Sequence, residues 1–486
     1  MFSGINNFDE DKPREECGVF GIYAPGTNVA QLTYFGLYAL QHRGQESAGI
    51  AISDGNAVKV EKGMGLVSEV FNPERLRKLK GRQAVGHVRY STMGSSVLVN
   101  AQPLVLRYRN GDLAVAHNGN LVNGGELRSS LEEDGSIFQT TTDSEVIAHL
   151  IARSGESDIA EAVKKAVPAL QGAYTFILMT EDKILGLRDP YGIRPLSLGR
   201  IEGGYVLASE SCAFDTVGAE FIRDIDPGEL VVIDENGIKS ERLFKPGKQA
   251  LCIFEYVYFA RPDSNINGQN VHLVRKRLGQ RLAQENPVDV DIVTGVPDSS
   301  LSAASGVAEE MGLTLEMAFV KNRYIGRTFI QPSHELRSLS VKLKLNPVRQ
   351  IVEGKKVIMV DDSIVRGTTS MRIIEMLRQA GAREVHVRIS SPPVIAPCFY
   401  GIDTSASGEL IGASMDVPSI AKTIGADSLG YLSLQGMIES VGLQPDSLCT
   451  ACFSKKYPLD CNHTDGKYTF ENSADGRGCR GCGNNI

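Results

Sequence analysis

The sequence predicts an α/β protein with more than one domain and with a doubly wound parallel sheet in its C-terminal half. The chain has 486 residues, which is too many for one hydrophobic core. The apolar run 357–360 is typical of a buried parallel strand. A glycine–threonine loop follows it, and Met371, Ile374 and Leu377 then recur at helical spacing. Such a loop lies at the edge where open α/β sheets bind their ligands.

Two acids and a hydroxyl-rich loop stand at this edge. Asp361 and Asp362 end the strand, and residues 363–370 offer backbone N–H groups, hydroxyls and a helix N-terminus to one anion, most naturally a phosphate. Paired carboxylates beside a phosphate suit sugar hydroxyls and Mg²⁺. The loop lacks the Gly-Lys-Ser/Thr of a nucleoside triphosphate loop, so that alternative is disfavoured.

This string of residues resembles the 5-phosphoribosyl 1-diphosphate signature of the type I phosphoribosyltransferases. The resemblance implies that Asp361 and Asp362 hold the ribose hydroxyls. The loop after them would hold the 5-phosphate through Ser363, Gly367, Thr368 and Thr369. The turn 294–300 resembles the diphosphate loop of the same family, so Ser299 would join the two acids around Mg²⁺. This ion prefers oxygen ligands and keeps water and phosphates in its shell.

The segment from Lys321 to Arg349 is basic, whereas the chain as a whole has a negative net charge. It contains seven basic residues, Gly326, two prolines and a single acid, Glu335. Because it lies between two phosphate-type loops, we expect a mobile anion-binding lid that excludes water from the sugar. Lys321 is expected to contact the sugar diphosphate.

At the other end of the chain, a short apolar strand begins with Cys17. The leader 1–16 is polar and has no features of a secretory signal. Alone, Cys17 would be read as a structural cysteine. Four further motifs follow, however, at 41–49, 86–92, 117–120 and 142–145. In order and sequence they resemble the class II, N-terminal-nucleophile glutamine amidotransferases, whose glutaminase domain is a four-layer αββα fold. The resemblance covers roughly residues 17–244 and implies that the leader is a propeptide.

The chemistry explains why the cysteine must be terminal. A free α-amino group has a pKa of about 8 and can accept the thiol proton, whereas an amide nitrogen cannot. The Cys17 sulfur would attack the side-chain amide of glutamine, release ammonia and leave a thioester that water hydrolyses to glutamate. By resemblance, Asn118 and the Gly119 N–H stabilise the oxyanion. Arg89 would pair with the glutamine carboxylate and Asp143 with its ammonium group.

Nine cysteines need an explanation, because an intracellular chain should not carry structural disulfides. The pair Cys449 and Cys452 alone fits zinc, an iron–sulfur cluster or redox work. Residues 251–262 and 391–403 resemble the amidophosphoribosyltransferase family in its iron–sulfur branch. That resemblance implies that Cys252, Cys398, Cys449 and Cys452 ligate a [4Fe–4S] cluster, although zinc suits the same ligands. Cys461, Cys479 and Cys482 match no family position, and Cys212 is expected to be a buried thiol.

These readings predict four segments: a propeptide at 1–16, a glutaminase domain at 17–246, a phosphoribosyltransferase domain at 247–457 and a disordered tail at 458–486. No apolar stretch reaches about 18 residues, so no membrane span is expected. The formal charge of −7 argues against a general nucleic-acid binder. The expected location is the cytoplasm.

The resemblance implies a bifunctional glycosyltransferase. It would convert glutamine, water and 5-phosphoribosyl 1-diphosphate into 5-phosphoribosylamine, glutamate and diphosphate, the committing step of purine synthesis. It further implies a homotetramer and feedback inhibition by purine nucleotides. Two alternatives stay open: another class II amidotransferase, such as the aminosugar synthase, and a catalytically dead nucleotide-sensing homologue.

Overall fold

The structure is a computed structural model that describes residues 17–245, 247–322, 345–403 and 407–459. The described chain divides into two compact units. The first contains residues 17–251, 399–403 and 458–459, and the second contains the described parts of 252–398 and 404–457. The predicted propeptide, most of the predicted lid, and Cys461, Cys479 and Cys482 lie outside the described residues.

The first unit is built on two antiparallel sheets. The strands are β1 Gly18–Tyr23, β2 Ser47–Ser53, β3 Val58–Met64, β4 Gln83–Arg89, β5 Leu104–Tyr108, β6 Gly111–Leu121, β7 Gly172–Met179, β8 Ile184–Arg188, β9 Ser197–Ile201, β10 Gly204–Ala208, β11 Glu220–Asp224, β12 Glu229–Asp234 and β13 Gly237–Arg242. The seven-stranded sheet has the order β11-β9-β10-β1-β4-β2-β3, and the six-stranded sheet has the order β13-β12-β8-β7-β6-β5.

Helices cover the outer faces of both sheets. Alternate residues of β1 point to opposite sides: Val19 joins a core between the sheets, whereas Phe20 packs with the helices. A separate core on the far side of the six-stranded sheet includes Val146 and Val163. The helices are α1 Val29–Ala39, α2 Val67–Val70, α3 Pro73–Lys78, α4 Gly124–Glu133, α5 Glu145–Arg153, α6 Ile159–Ala166 and α7 Cys212–Val217. The predicted αββα arrangement is confirmed.

The second unit is built on a four-stranded parallel sheet. Its strands lie in the order β17 Ile292–Gly295, β20 Lys356–Asp361, β21 Glu384–Ile389 and β22 Ser428–Tyr431. Successive residues of β20 are fully buried, and only alternate ones, Val357 and Met359, belong to the core on one face. The sheet is therefore covered on both sides, as the continuous apolar run predicted. A separate two-stranded antiparallel sheet pairs β18 with β19.

The strands from residue 251 onward are β14 Leu251–Cys252, β15 Asn265–Ile266, β16 Gln269–Asn270, β17 Ile292–Gly295, β18 Phe319–Lys321, β19 Leu345–Pro347, β20 Lys356–Asp361, β21 Glu384–Ile389, β22 Ser428–Tyr431 and β23 Leu448–Cys449. The helices are α8 Val271–Glu285, α9 Leu301–Met311, α10 Arg349–Val352, α11 Thr368–Gln379, α12 Ile411–Ser414, α13 Val417–Ile424, α14 Leu434–Val441 and α15 Ala451–Ser454. Within the described ranges, none of the helices is both long and apolar enough to cross a lipid bilayer.

Candidate functional site

Cys17 lies immediately before β1, which is held between β4 and β10 in the seven-stranded sheet. The residue is buried, and its thiol donates a hydrogen bond to the carbonyl oxygen of Tyr90 at 3.3 Å. Burial raises the pKa of the Cys17 thiol to about 11, although the Tyr90 hydrogen bond and the positive charge of Arg89 oppose the shift. With its nitrogen in a peptide bond, the sulfur is therefore protonated near neutral pH.

The structure brings Arg89 and Asp143 to Cys17, since the charges of both act on the thiol. Arg89 ends β4 and is buried. Its guanidinium donates to the carbonyl oxygens of Met93 at 2.9 Å and Ser95 at 3.1 Å. Asp143 is also buried, and its carboxylate accepts a hydrogen bond from the Leu121 N–H at 2.8 Å. One cation, Arg89, and two anions, Asp143 and Glu46, therefore lie near the thiol.

Asn118 and Gly119 lie on β6, opposite β7 of the six-stranded sheet. The Asn118 side chain is only 1% exposed, and neither its Oδ1 nor its Nδ2 has a hydrogen-bond partner in the described structure. An unpaired buried amide costs about 1–3 kcal/mol, so its retention favours a role in ligand binding. Gly119 has a φ of +140°, and an added Cβ would lie 2.1 Å from the Ala173 carbonyl oxygen. Only glycine fits this backbone position.

A buried network of two imidazoles, which was not predicted from the sequence, lies behind these residues. The His87 Nε2–H donates to the carbonyl oxygen of His117 at 2.9 Å. His117 Nδ1 lies 2.9 Å from Ser144 Oγ, which also accepts from Gln102 Nε2 at 3.0 Å. Ser144 adjoins Asp143 and His117 adjoins Asn118, so the network supports both neighbours. The sequence signal was available, because both histidines fall inside the recognised motifs.

Asp361 ends β20, an inner strand of the parallel sheet, and Asp362 follows it. Each of the two is 1% exposed. Ser299 Oγ donates to Asp362 Oδ2 at 2.5 Å, and Ser300 Oγ donates to Asp361 Oδ1 at 2.9 Å. The two loops meet because β17 and β20 are parallel neighbours and end at the same edge. The structure thus brings together the three predicted oxygen ligands of Mg²⁺. Ser300 was missed, because a serine between a turn and a small-residue helix has no distinctive sequence pattern.

The phosphate-type loop is placed as predicted. Ser363 Oγ donates to Asp362 Oδ1 at 2.8 Å. Gly367 has a φ of +84° and directly precedes the helix Thr368–Gln379, so its left-handed backbone turns the loop into the helix N-terminus. Thr368 is exposed and Thr369 is buried at this end.

Of the predicted lid, the structure describes Lys321 and Arg349 but not residues 323–344. Lys321 Nζ lies 2.7 Å from Asp298 Oδ2, beside Ser299. Arg349 donates instead to the Gln379 carbonyl oxygen at 3.2 Å. The closing motion expected of the lid stays a prediction.

The four cysteines predicted as cluster ligands converge in the second unit. Cys252, Cys449 and Cys452 are buried, and Cys398 is partly exposed. Burial raises the pKa of Cys452 well above its usual value, and the neighbouring thiols of Cys252, Cys449 and Cys398 raise it further. The sulfurs of Cys252, Cys398 and Cys449 therefore all lie close enough to Cys452 to affect its charge. Even so, no set of three or more His, Cys, Asp or Glu side chains in the described ranges is spaced to hold a single metal ion. Cys212 is buried in the first unit, as expected.

The two units define a class of protein: a glutamine amidotransferase joined to a phosphoribosyltransferase. Residues 87–216 match the glutamine amidotransferase domain family, and residues 266–390 match the phosphoribosyl transferase domain family.

Relatives that match nearly the whole length of this chain identify its family within this class. The chain is 54% identical to the amidophosphoribosyltransferase of Bacillus subtilis, over 92% of this chain and 94% of the relative. It is 51% identical to the amidophosphoribosyltransferase of Synechococcus elongatus, over 92% of each chain. A solved structure of the B. subtilis glutamine phosphoribosylpyrophosphate amidotransferase, complexed with ADP and GMP, matches with a TM-score of 0.89 and 53% identity. That match covers 93% of this chain and all of the other. The chain belongs to the amidophosphoribosyltransferase family.

Proposed function

We propose that this enzyme converts glutamine, water and 5-phosphoribosyl 1-diphosphate into 5-phosphoribosylamine, glutamate and diphosphate, the first committed step of purine synthesis. One observation carries the proposal: a single chain holds both complete sets of residues. Cys17, Arg89 and Asp143 gather in the first unit, with the unpaired amide of Asn118 in the same fold. In the second unit, Ser299 donates a hydrogen bond to Asp362, and the Asp362 N–H donates to the Asp361 carboxylate.

In the glutaminase half, Cys17 is the nucleophile. The proposed removal of residues 1–16 would free its α-amino group to accept the thiol proton. Arg89 and Asp143 would then bind the α-carboxylate and α-ammonium of glutamine, while Asn118 Nδ2 and the Gly119 N–H would bind the oxyanion. The unpaired Nδ2 of Asn118 supports this role, because it is a buried donor with nothing to bind in the described structure.

In the phosphoribosyl half, Asp361 and Asp362 would bind the ribose hydroxyls. Ser363, Gly367, Thr368 and Thr369 would hold the 5-phosphate at the helix N-terminus, with Lys321 near the diphosphate. The donor set of Ser299, Asp361 and Asp362 fits Mg²⁺, because it supplies oxygens and leaves other positions to water and phosphate. When bound, Mg²⁺ would neutralise charge on the departing diphosphate.

Four convergent thiols also fit a [4Fe–4S] cluster. The set supplies the four thiolate ligands that such a cluster takes. We therefore propose that Cys252, Cys398, Cys449 and Cys452 hold such a cluster in a structural role. We also propose feedback inhibition by purine nucleotides, a homotetramer and a cytoplasmic location. The four-segment division given above is proposed too, except that residues 247–251 and 399–403 pack with the glutaminase unit.

The direct test is an assay of purified, iron-loaded protein with Mg²⁺, 5-phosphoribosyl 1-diphosphate and either glutamine or an ammonium salt. Both nitrogen donors should give phosphoribosylamine and diphosphate. Fructose 6-phosphate in place of the sugar diphosphate should give no amination, and the reverse result would favour an aminosugar synthase. Absence of turnover with both nitrogen donors and both sugars would favour a catalytically dead sensor.

A further inference from the structure

Five residues from late in the sequence belong to the glutaminase unit. The chain leaves the second unit after Cys398, and residues 399–403, the returning segment, pack with residues 17–251. Arg194 Nε and Nη2 both donate to the carbonyl oxygen of Tyr400, at 3.0 and 2.6 Å. Asn120 Nδ2 donates to the carbonyl oxygen of Phe399 at 3.0 Å. The segment is thus held through its backbone, and Tyr400 is 1% exposed.

The returning segment meets the strand that carries the proposed oxyanion donors. Gly401 has a φ of +108°, and a Cβ there would lie 3.1 Å from the carbonyl carbon of Gly119 and 3.2 Å from its Cα. The two glycines therefore touch backbone to backbone. Asn120, which binds the segment, is the next residue along the same strand. The segment therefore contacts Gly119 itself and the residue that follows it.

Arg194 is itself held rigidly. The Arg188 guanidinium donates to the carbonyl oxygens of Arg194 at 2.7 Å and Gly192 at 2.8 Å. The Asp189 carboxylate accepts from the Tyr191 N–H at 2.9 Å, and the Asp189 N–H donates to the Tyr174 carbonyl oxygen. Tyr174 is the residue that faces Gly119 across β6 and β7. The turn 189–194 carries Arg194, whose guanidinium binds the segment. This turn is therefore hydrogen-bonded to Tyr174, the residue that faces Gly119.

We propose that the returning segment is part of the glutaminase scaffold, and that Arg194, Asn120 and Gly401 are positioning residues for the Gly119 N–H. The inference rests on the proposed glutaminase function of this unit. An oxyanion donor is effective only when it is fixed before the reaction begins. A glycine at positive φ has little steric restraint of its own, so neighbouring backbone must supply it. Gly401 can supply that restraint because it lacks a Cβ.

The test is Gly401→Ala, with Gly237→Ala as its matched control. Gly237 lies in the same unit at a φ of +101°, and a Cβ there meets nothing within 4 Å. Both substitutions strain the local backbone, but only Gly401→Ala pushes on Gly119. We expect Gly401→Ala to lower kcat with glutamine about ten- to a hundredfold, less than the loss of an oxyanion donor outright. KM for glutamine and turnover with ammonium salt should stay near those of the wild type.

Alkylation of Cys17 by iodoacetamide, followed by peptide mass spectrometry, supplies a second readout. This displacement forms a thioether and releases iodide without an oxyanion, so its rate should not change in Gly401→Ala. A parallel loss of alkylation and ammonium-dependent turnover would mean general misfolding and would overturn the proposal. Equal effects of Gly401→Ala and Gly237→Ala on kcat would also overturn it.

Asn120→Ala provides a milder variant, because it removes only the hydrogen bond to Phe399. It should lower kcat with glutamine by a few-fold and leave ammonium-dependent turnover intact, and an unchanged kcat would count against the segment. Failure of the proposed function is distinguishable, since wild-type protein would then have no glutaminase activity at all.

Discussion

At the residue scale, the two candidate sites differ in whether their buried polar side chains are hydrogen-bonded. The Asn118 amide has no hydrogen-bond partner in the described structure, whereas the carboxylates of Asp361 and Asp362 accept hydrogen bonds from Ser299 and Ser300. An unpaired donor is ready for an oxyanion that exists only during the reaction. Carboxylates that are already positioned suit a substrate and metal that bind before it.

Loss of one carboxylate at the sugar site should impair both nitrogen reactions. Asp361→Asn or Asp362→Asn removes a buried negative charge where Mg²⁺ and ribose are proposed to bind. Turnover with glutamine and with ammonium salt should both fall on the order of a hundredfold or more, equivalent to several kcal/mol. Asp289→Asn is the control, because this aspartate of the same unit is 96% exposed. If the Asp361 and Asp362 variants retained ammonium-dependent turnover, the sugar diphosphate would have to bind elsewhere in the protein.

His87 should make the protein sensitive to acid. Burial lowers the pKa of His87 to about 3, below the value of about 6.5 in an unfolded chain. The unfolded state therefore binds a proton first as the pH falls through about 6.5, and stability decreases from there toward pH 3. His87→Gln keeps a side-chain donor for His117 but cannot titrate.

The measurement is the free energy of urea unfolding, followed by circular dichroism at pH 7 and pH 5. Between these two values the His87→Gln variant should lose about 2 kcal/mol less stability than the wild type. Parallel pH profiles for the two proteins would contradict this account of His87.

At the scale of elements, the sequence predicts secondary structure correctly where its signals are local. The apolar run before Asp361 and the helical spacing after it correctly predicted β20, the loop and the helix Thr368–Gln379. Contacts between distant segments were not predicted. His87 and His117 are 30 residues apart, and Asn120 and Phe399 are 279 apart. Hydrophobic periodicity reports which face of an element is buried but not which element covers it.

The short elements at Cys449 and Cys452 should depend on the proposed cluster. Cys449 ends β23, and Cys452 lies in the short helix Ala451–Ser454. Elements of this length need external bonds to persist, and cluster ligation would supply them. Cys449→Ser should lower iron and sulfide content and increase proteolysis near residue 450.

Cys479→Ser is the matched control, because the resemblance assigns Cys479 no role in the proposed cluster. Its iron content should equal that of the wild type. The opposite pattern, or a colourless protein that carries zinc, would refute the cluster assignment without affecting the two proposed active sites.

At the scale of the whole molecule, each unit has its own hydrophobic core and its own candidate site. The order of the motifs along the sequence was sufficient to predict one site in each unit, because each set of motifs matches one family. The returning segment could not be predicted, since nothing in residues 399–403 marks them as part of the first unit. A chain with two separate sites should lose its two activities separately.

Cys17→Ala should therefore abolish turnover with glutamine and leave turnover with ammonium salt close to that of the wild type. In the proposed mechanism the thiol acts only in ammonia release, and the proposed sugar site lies in the other unit. Cys212→Ala is the control for loss of a buried thiol in the same unit, and both of its activities should persist. Equal loss of the two activities in Cys17→Ala would assign the thiol a structural role.

Retention of residues 1–16 should give the same phenotype as Cys17→Ala. While Glu16 is joined to Cys17, the nitrogen is an amide and cannot accept the thiol proton. The pKa of the buried thiol, raised to about 11, keeps it protonated below that pH, so raising the pH from 7 to 9 should restore little activity. A chain produced to begin at Cys17 and a chain that retains the leader should be compared with glutamine and with ammonium salt. Only the first should use glutamine, and both should use ammonium salt. Full glutamine-dependent turnover by the chain that retains its leader, shown intact by N-terminal sequencing after the assay, would exclude the terminal amine as the base.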